Sequence, residues 1–173
     1  MRLSTLAAFA AALFGLVPFG NAQAQARFSV AGGIAAPMSD LGDVADLGYN
    51  VAAGITLGGS RLPIGARVEG SLSSFGLKNL PDDVRILNAT ANAVVDLGQQ
   101  RESPYLIGGL GLYNSKFGRA ESENAVGVNL GGGLRFLIGE FNTFFEARYH
   151  VMLGEASAGA NLQYVPITVG VMF

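Results

Sequence analysis

Apolar and other side chains alternate with a period of two residues along eight segments of this chain. Successive side chains of a β-strand point to opposite faces, so each segment predicts a strand with one apolar face. After residue 26 no run of eighteen apolar residues occurs, which argues against a membrane-spanning helix there. The predicted strands cover residues 28–35, 49–57, 64–73, 87–97, 105–116, 126–136, 145–151 and 164–173.

The connections between these segments fall into two alternating classes. The shorter class lies near residues 58–63, 98–104 and 139–142, and the mostly longer class near residues 37–48, 76–83, 117–124 and 154–161. The longer class is acidic and carries Asp40, Asp43, Asp46, Asp82, Asp83, Glu121, Glu123 and Glu155 against Lys78 and Arg119. Short turns at one end and longer loops at the other are typical of outer-membrane barrels. An even number of strands then places both ends of the mature chain on the short-turn side.

Charge on the non-apolar face indicates which face points inward. A soluble lipocalin-like barrel has the same period with its apolar side chains inside. A water-facing surface would be densely charged, whereas a narrow lumen requires small residues and paired charges. Only 14% of the chain is charged, and the charges assigned to this face cancel at three against three. The predicted fold is all-β, an eight-stranded antiparallel up-and-down transmembrane β-barrel. Its predicted lumen charge network is Arg67, Glu69, Asp96, Arg135, Glu146, Arg148 and His150.

Aromatic side chains near the strand ends predict girdles at the two membrane interfaces. They are Phe28, Tyr49, Tyr105, Phe136, Phe145 and Phe173. The register of residues 105–116 stays open, because both faces of that segment are apolar.

The first 26 residues have the features of a secretory signal peptide. Arg2 precedes an apolar stretch at residues 6–19, and small residues at 22–26 permit cleavage after Ala24 or Ala26. We therefore expect residues 1–26 to be a signal peptide and residues 27–173 to be the barrel.

Other function classes receive little support from the sequence. The absence of cysteine excludes a disulfide scaffold and a thiolate zinc site, and 11 basic against 13 acidic residues give no basic excess for nucleic acid. His150 is the one histidine available to a serine hydrolase, with Ser71 and Ser73 on a face of another strand. Asp40, Asp43 and Asp46 lack alternate ligand spacing, so a solvated acidic loop is favoured over a cation site. We expect no catalytic residues, cofactor or metal.

Three stretches make the chain resemble the OmpA/OmpX-like family of small eight-stranded outer-membrane β-barrels. They are PYLIGGLGLY from Pro104, FFEARY from Phe144 and the terminal VPITVGVMF. The resemblance implies export to the outer membrane and a terminal signal, Val169, Val171 and Phe173, that is read by the barrel-assembly machinery. We expect a monomer whose partners are outer-membrane lipids and that machinery.

The resemblance covers the whole mature chain but leaves activity open, because one fold hosts several functions. The first expectation is a non-enzymatic structural or surface role with a lumen filled by side chains, which an eight-stranded barrel is narrow enough to permit. The alternatives are a narrow pore or conduit for small solutes and, third, an outer-membrane lipid-modifying enzyme.

Overall fold

Eight antiparallel strands form a closed barrel with up-and-down topology. The computed structural model of the chain describes residues 25–58, 63–79, 81–98, 102–153 and 162–173. The strands are β1 (Gln25–Met38), β2 (Gly48–Gly58), β3 (Ile64–Gly76), β4 (Asp83–Asp96), β5 (Ser103–Phe117), β6 (Glu123–Ile138), β7 (Phe141–Leu153) and β8 (Gln163–Met172). Each strand pairs with its neighbours in sequence, and β1 pairs with β8. The predicted fold is therefore confirmed.

Backbone hydrogen bonds close the barrel at both edges of the sheet. Register runs without interruption from Ser29–Met172 to Met38–Gln163 across the β1–β8 seam. Beyond the seam, Phe28 and Phe173 exchange two further backbone bonds of 3.1 and 2.8 Å. Closure leaves no unpaired strand edge, which is the condition for a sheet to lie in hydrocarbon.

The contrast in connection length is smaller than the sequence suggested. It is carried by residues 39–47 and 154–162, whereas residues 77–82 and 118–122 are no longer than residues 97–102 on the opposite end. We call the end that holds the β1–β2 and β7–β8 connections the long-loop end, and the opposite one the short-turn end. Residues 1–24 of the predicted signal peptide, and Glu155, lie outside the described ranges.

The two faces of the barrel differ as the alternation predicted. Outward positions carry exposed apolar side chains through most of each strand, and inward positions carry buried polar ones. Apolar surface that stays exposed over a whole barrel is what contact with lipid tails requires. The outward apolar set includes Val30, Val51, Val68, Leu87, Leu106, Leu110, Val128, Leu130, Leu134 and Val169.

Tyr105 corrects the predicted girdles. Phe28, Tyr49, Phe145 and Phe173 are exposed on the outside, but the Tyr105 side chain is only 1% exposed and points into the lumen. The open register of β5 explains the error, since its inward face is as apolar as its outward face. That inward face carries Ser103, Tyr105, Ile107, Tyr113 and Ser115, all of them buried.

An apolar layer, which the sequence did not predict, fills the long-loop end of the lumen. Leu41, on the helix α1 (Ser39–Val44), is fully buried there together with Phe75 and Tyr164. The helix is tied to the neighbouring turn by a hydrogen bond of 2.6 Å from Lys78 Nζ to the Gly42 carbonyl. In the described ranges no helix is long and apolar enough to cross a membrane. Because the apolar layer fills the long-loop end, the polar part of the lumen lies on its short-turn side.

Inward-facing glycines make room for aromatic rings from the adjacent strand. A Cβ on Gly133 would lie 2.6 Å from the Tyr105 hydroxyl, and one on Gly127 would lie 2.6 Å from Cε2 of Tyr113. Side chains are absent from these positions because the neighbouring rings cover them, an arrangement known in engineered sheets as aromatic rescue. The glycine-rich segments in β5 and β6 thus serve packing in the lumen as well as curvature.

We expect Gly133→Ala to lower the free energy of unfolding by about 1–3 kcal/mol, the usual cost of overpacking a filled interior. The added methyl group would collide with Tyr105 and with the Phe145 carbonyl. Urea unfolding in micelles measures the effect. Gly70→Ala is the matched control, because that outward glycine has no atom closer than 3.8 Å to its hypothetical Cβ. Equal unfolding midpoints for the two variants would contradict the packing role.

Candidate functional site

Four charged side chains meet across the centre of the lumen. Arg67 Nη1 donates to Glu146 Oε2 at 2.7 Å, and Arg148 Nε contacts Glu146 Oε1 at 2.8 Å. Arg148 Nη2 donates to Glu69 Oε1, and Arg67 Nη1 lies 3.8 Å from Glu69 Oε2. All four side chains are at most 6% exposed. They form a closed ring of alternating charge, which we call the charge quartet.

Strand direction explains why these four residues match. In an up-and-down barrel alternate strands run the same way, so β3 and β7 are parallel and lie on opposite sides of the eight-stranded cylinder. The inward positions read Arg-x-Glu on β3 and Glu-x-Arg on β7, so each residue faces an opposite charge at its own height. Both cross-barrel bonds accordingly span 79 residues of sequence.

Neutral groups complete the surroundings of the quartet. The Tyr105 hydroxyl donates to Glu146 Oε2 at 2.5 Å, and Arg67 Nε donates to Thr56 Oγ1 at 3.2 Å. The Arg67 guanidinium also lies 5.5 Å from the centre of the Phe144 ring. Buried charges are tolerated when they are paired, and all four charges of the quartet are.

The remaining members of the predicted network are placed apart from the quartet. Arg135 Nη1 donates to Asp96 Oδ1 near the short-turn end, and the Arg135 guanidinium lies 4.5 Å from the centre of the Tyr105 ring. This pair is partly exposed, with side-chain accessibilities of 16% and 38%. Tyr105 therefore lies between the quartet and the outer pair, a link that sequence reasoning missed because Tyr105 was assigned to the interface.

His150 lies on the long-loop side of the quartet and contacts aromatic residues. Its Nδ1 is 2.9 Å from the Tyr113 hydroxyl, and its ring stacks on Tyr164 with centroids 4.8 Å apart. Ser73 is engaged elsewhere, as the acceptor of a 2.9 Å bond from Asn50 Nδ2. The structure thus surrounds His150 with tyrosines inside the barrel and brings neither candidate serine into a hydrogen bond with it.

Amide side chains form further hydrogen bonds on the inner wall of the lumen around and above the quartet. Asn129 Nδ2 donates to Asn92 Oδ1 at 2.8 Å, and Asn92 Nδ2 donates to Thr90 Oγ1 at 2.9 Å. Higher up, Asn88 Nδ2 donates to the Tyr164 hydroxyl at 2.9 Å. From the long-loop end to the short-turn end the lumen therefore contains an apolar layer, the charge quartet with amide side chains around it, and the Asp96–Arg135 pair.

The acidic first loop forms part of α1 and the turn after it. Asp43 and Asp46 are exposed, whereas Leu41 between them and β1 is buried. Within the described residues no group of three or more His, Asp or Glu side chains is arranged to hold a metal ion. The candidate functional site of this chain is therefore the charge quartet.

Comparison with known proteins matches this fold and gives no sequence-level relative. No protein-family model and no curated protein sequence match the chain. Among solved structures, Neisserial surface protein A superposes with a TM-score of 0.73 at 17% identity, over 86% of this chain and 97% of that one.

Two further structures match at lower similarity. The N-terminal β-barrel domain of Pseudomonas aeruginosa OprF has a TM-score of 0.51 at 14% identity, over 87% of this chain and 100% of that one. Ail, the attachment invasion locus protein of Yersinia pestis, has a TM-score of 0.51 at 18% identity, over 86% and 99%. These neighbours are small outer-membrane barrels. The chain therefore has the fold of the small eight-stranded outer-membrane β-barrels.

Proposed function

We propose that this protein is a non-enzymatic outer-membrane barrel that spans the membrane as a closed scaffold and presents its acidic loops outside the cell. The outward apolar face, the barrel closure and the fold of the neighbours support the location. The lumen favours a scaffold function rather than a channel function, because side chains from opposite walls meet in its centre. The acidic long-loop residues then face the external medium.

The charge quartet is the observation that carries this proposal. Its ion pairs join β3 to β7 across the full diameter of the barrel, so they occupy the cross-section through which a solute would have to pass. A second obstruction lies above it, where Leu41, Phe75 and Tyr164 pack together. Each layer narrows the path that an ion would have to follow.

A narrow hydrated pore is the second candidate, and one observation favours it. Within the described part of the chain, Arg67 Nη2, Arg148 Nη1 and His150 Nε2 are buried without a hydrogen-bond partner. Buried polar atoms of this kind are commonly satisfied by internal water. A column of water along these groups would convert the scaffold into a conduit for very small ions.

Electrical recording in planar bilayers separates the two candidates. We expect the purified protein to insert, to show strand-rich circular dichroism, and to give no steady conductance. Insertion is scored independently by the altered gel mobility of unheated samples, since a closed barrel resists unfolding. Steady single-channel currents from inserted wild-type protein would favour the pore function over the scaffold function. A helix-dominated spectrum would overturn both.

A further inference from the structure

Charge on the outer surface of the strands is confined to a single place. In the described strands, the outward positions carry only three charged residues, Asp83, Arg85 and Lys116. Their inward neighbours Val84 and Ser115 are at most 1% exposed, which fixes the direction of the three. All three lie at the long-loop end of β4 and β5. The outward face of the described strands is otherwise free of charge and thus has one charged cluster.

Register places the two cations side by side. Arg85 on β4 is the direct partner of Lys116 on β5, and Ser74 on β3 is the partner of Arg85 on its other side. Tyr49, exposed on β2, continues the same row as the partner of Ser74. Like charges directly opposite each other destabilise a sheet pair. An anion bound between Arg85 and Lys116 would remove that cost.

Asp83 neutralises only part of this charge. Its Oδ2 accepts a 2.9 Å bond from Arg85 Nε and a 3.3 Å bond from Ser74 Oγ. Among the residues that the structure describes, none accepts a hydrogen bond from the Arg85 Nη groups, and that side chain is 65% exposed. Together, Arg85, Lys116 and Asp83 carry a net charge of +1. The guanidinium and ammonium groups and the Tyr49 phenol are available to a ligand. This contrasts with the acidic loops beside it.

The height of the row matches the headgroup layer of a membrane. Leu87, the next outward residue on β4, is 55% exposed and belongs to the apolar surface. Two residues of strand span about 7 Å along the strand, so Arg85 follows the apolar surface by one such step toward the long-loop end. The exposed Tyr49 ring in the same row is of the type that settles at this interface. Basic residues at this height contact lipid phosphates in preference to soluble anions, because the lipid presents its phosphate at that level.

We propose that Arg85 and Lys116, with Tyr49 and Ser74 beside them, bind a phosphate on the headgroup of a phosphorylated glycolipid in the outer leaflet. The proposal rests on the proposed function, because the membrane and its orientation come from there. An Arg–Lys pair offers both a planar fork and a point charge to phosphate oxygens. The bound lipid would cover β4 and β5 and hold the long-loop end at a fixed depth.

Native mass spectrometry of the full barrel in micelles, titrated with bisphosphorylated lipid A, tests the proposal. A basic residue near an anionic lipid surface contributes about 1 kcal/mol, a factor of about five in affinity. We therefore expect the Arg85→Gln/Lys116→Gln variant to bind about 25-fold more weakly than wild type, since the two factors multiply. Dephosphorylated lipid A is expected to bind wild type as weakly as the phosphorylated lipid binds the double variant.

Arg119→Gln is the control, because Arg119 lies in the exposed turn after β5 and its loss removes one positive charge at the same end. It should bind like wild type. Unchanged affinity in the double variant, or equal affinity for dephosphorylated lipid, would overturn the inference while the barrel remains folded and non-conducting. Competition by millimolar inorganic phosphate that abolishes lipid binding would also overturn it, in favour of a free-phosphate site. A chain that inserts into no bilayer would overturn the proposed function together with it.

Discussion

Glu146→Ala is expected to lower the free energy of unfolding by about 3–5 kcal/mol, the usual cost of removing one partner from a buried ion pair. Glu146 accepts bonds from Arg67, Arg148 and Tyr105, so its loss leaves two buried guanidinium groups with a single carboxylate, Glu69. Urea unfolding in micelles measures the change. Bilayer recording of the same variant is expected to show a small ion leak, because the quartet no longer closes the cross-section.

Two further variants make that result specific to the quartet. Asp43→Ala, on the exposed side of α1, should change the unfolding free energy by less than about 0.5 kcal/mol, as exposed substitutions usually do. The double variant Arg67→Ala/Glu146→Ala should lower the free energy of unfolding by less than the sum of the two single variants. Both members of one ion pair are removed together, and Arg148 and Glu69 remain paired. Equal midpoints for Glu146→Ala and Asp43→Ala, without a change in conductance, would show a wet lumen and favour the pore.

Deletion of Phe173 is expected to reduce insertion into the outer membrane severalfold while the barrel, once folded in micelles, stays stable. Phe173 is 66% exposed at the short-turn rim, so its burial contributes little to the folded state. A barrel with about 5–15 kcal/mol of stability stays folded after losing about 1.5–3 kcal/mol, the most one such side chain supplies. A large loss of insertion would therefore reflect recognition of the chain terminus during assembly.

Phe28→Ala is the control for that deletion. Phe28 pairs with Phe173 through the backbone and is similarly exposed at the same rim, but it lies at the other end of the chain. Membrane fractions from cells that express each variant, scored by the gel mobility of unheated samples, compare the two. Normal insertion of the deletion variant, or an equal defect in Phe28→Ala, would remove the case for a terminal assembly signal.

The alternation of side chains predicted the strands and their inward faces because a period of two assigns each residue to one side of a sheet. That reasoning was sufficient for Arg67, Glu69, Glu146 and Arg148, whose charges sum to zero on faces without other charge. It failed for Tyr105, where both faces of the segment are apolar and the pattern has no preferred register. It also gave no sign of α1, a helix of one and a half turns that local propensity alone would not maintain.

The sequence by itself determined the number of strands, the direction of the apolar face and the identity of the buried charges, because these properties belong to single strands. Tertiary structure alone decided which charges meet. Arg67 and Glu146 are separated by 79 residues and face each other only because β3 and β7 lie opposite in a closed eight-stranded cylinder. The same holds for Arg85 and Lys116, which the β4–β5 register brings side by side. The distances between these side chains depend on which strands pair and in which register. A period of two within one strand carries no information about that pairing.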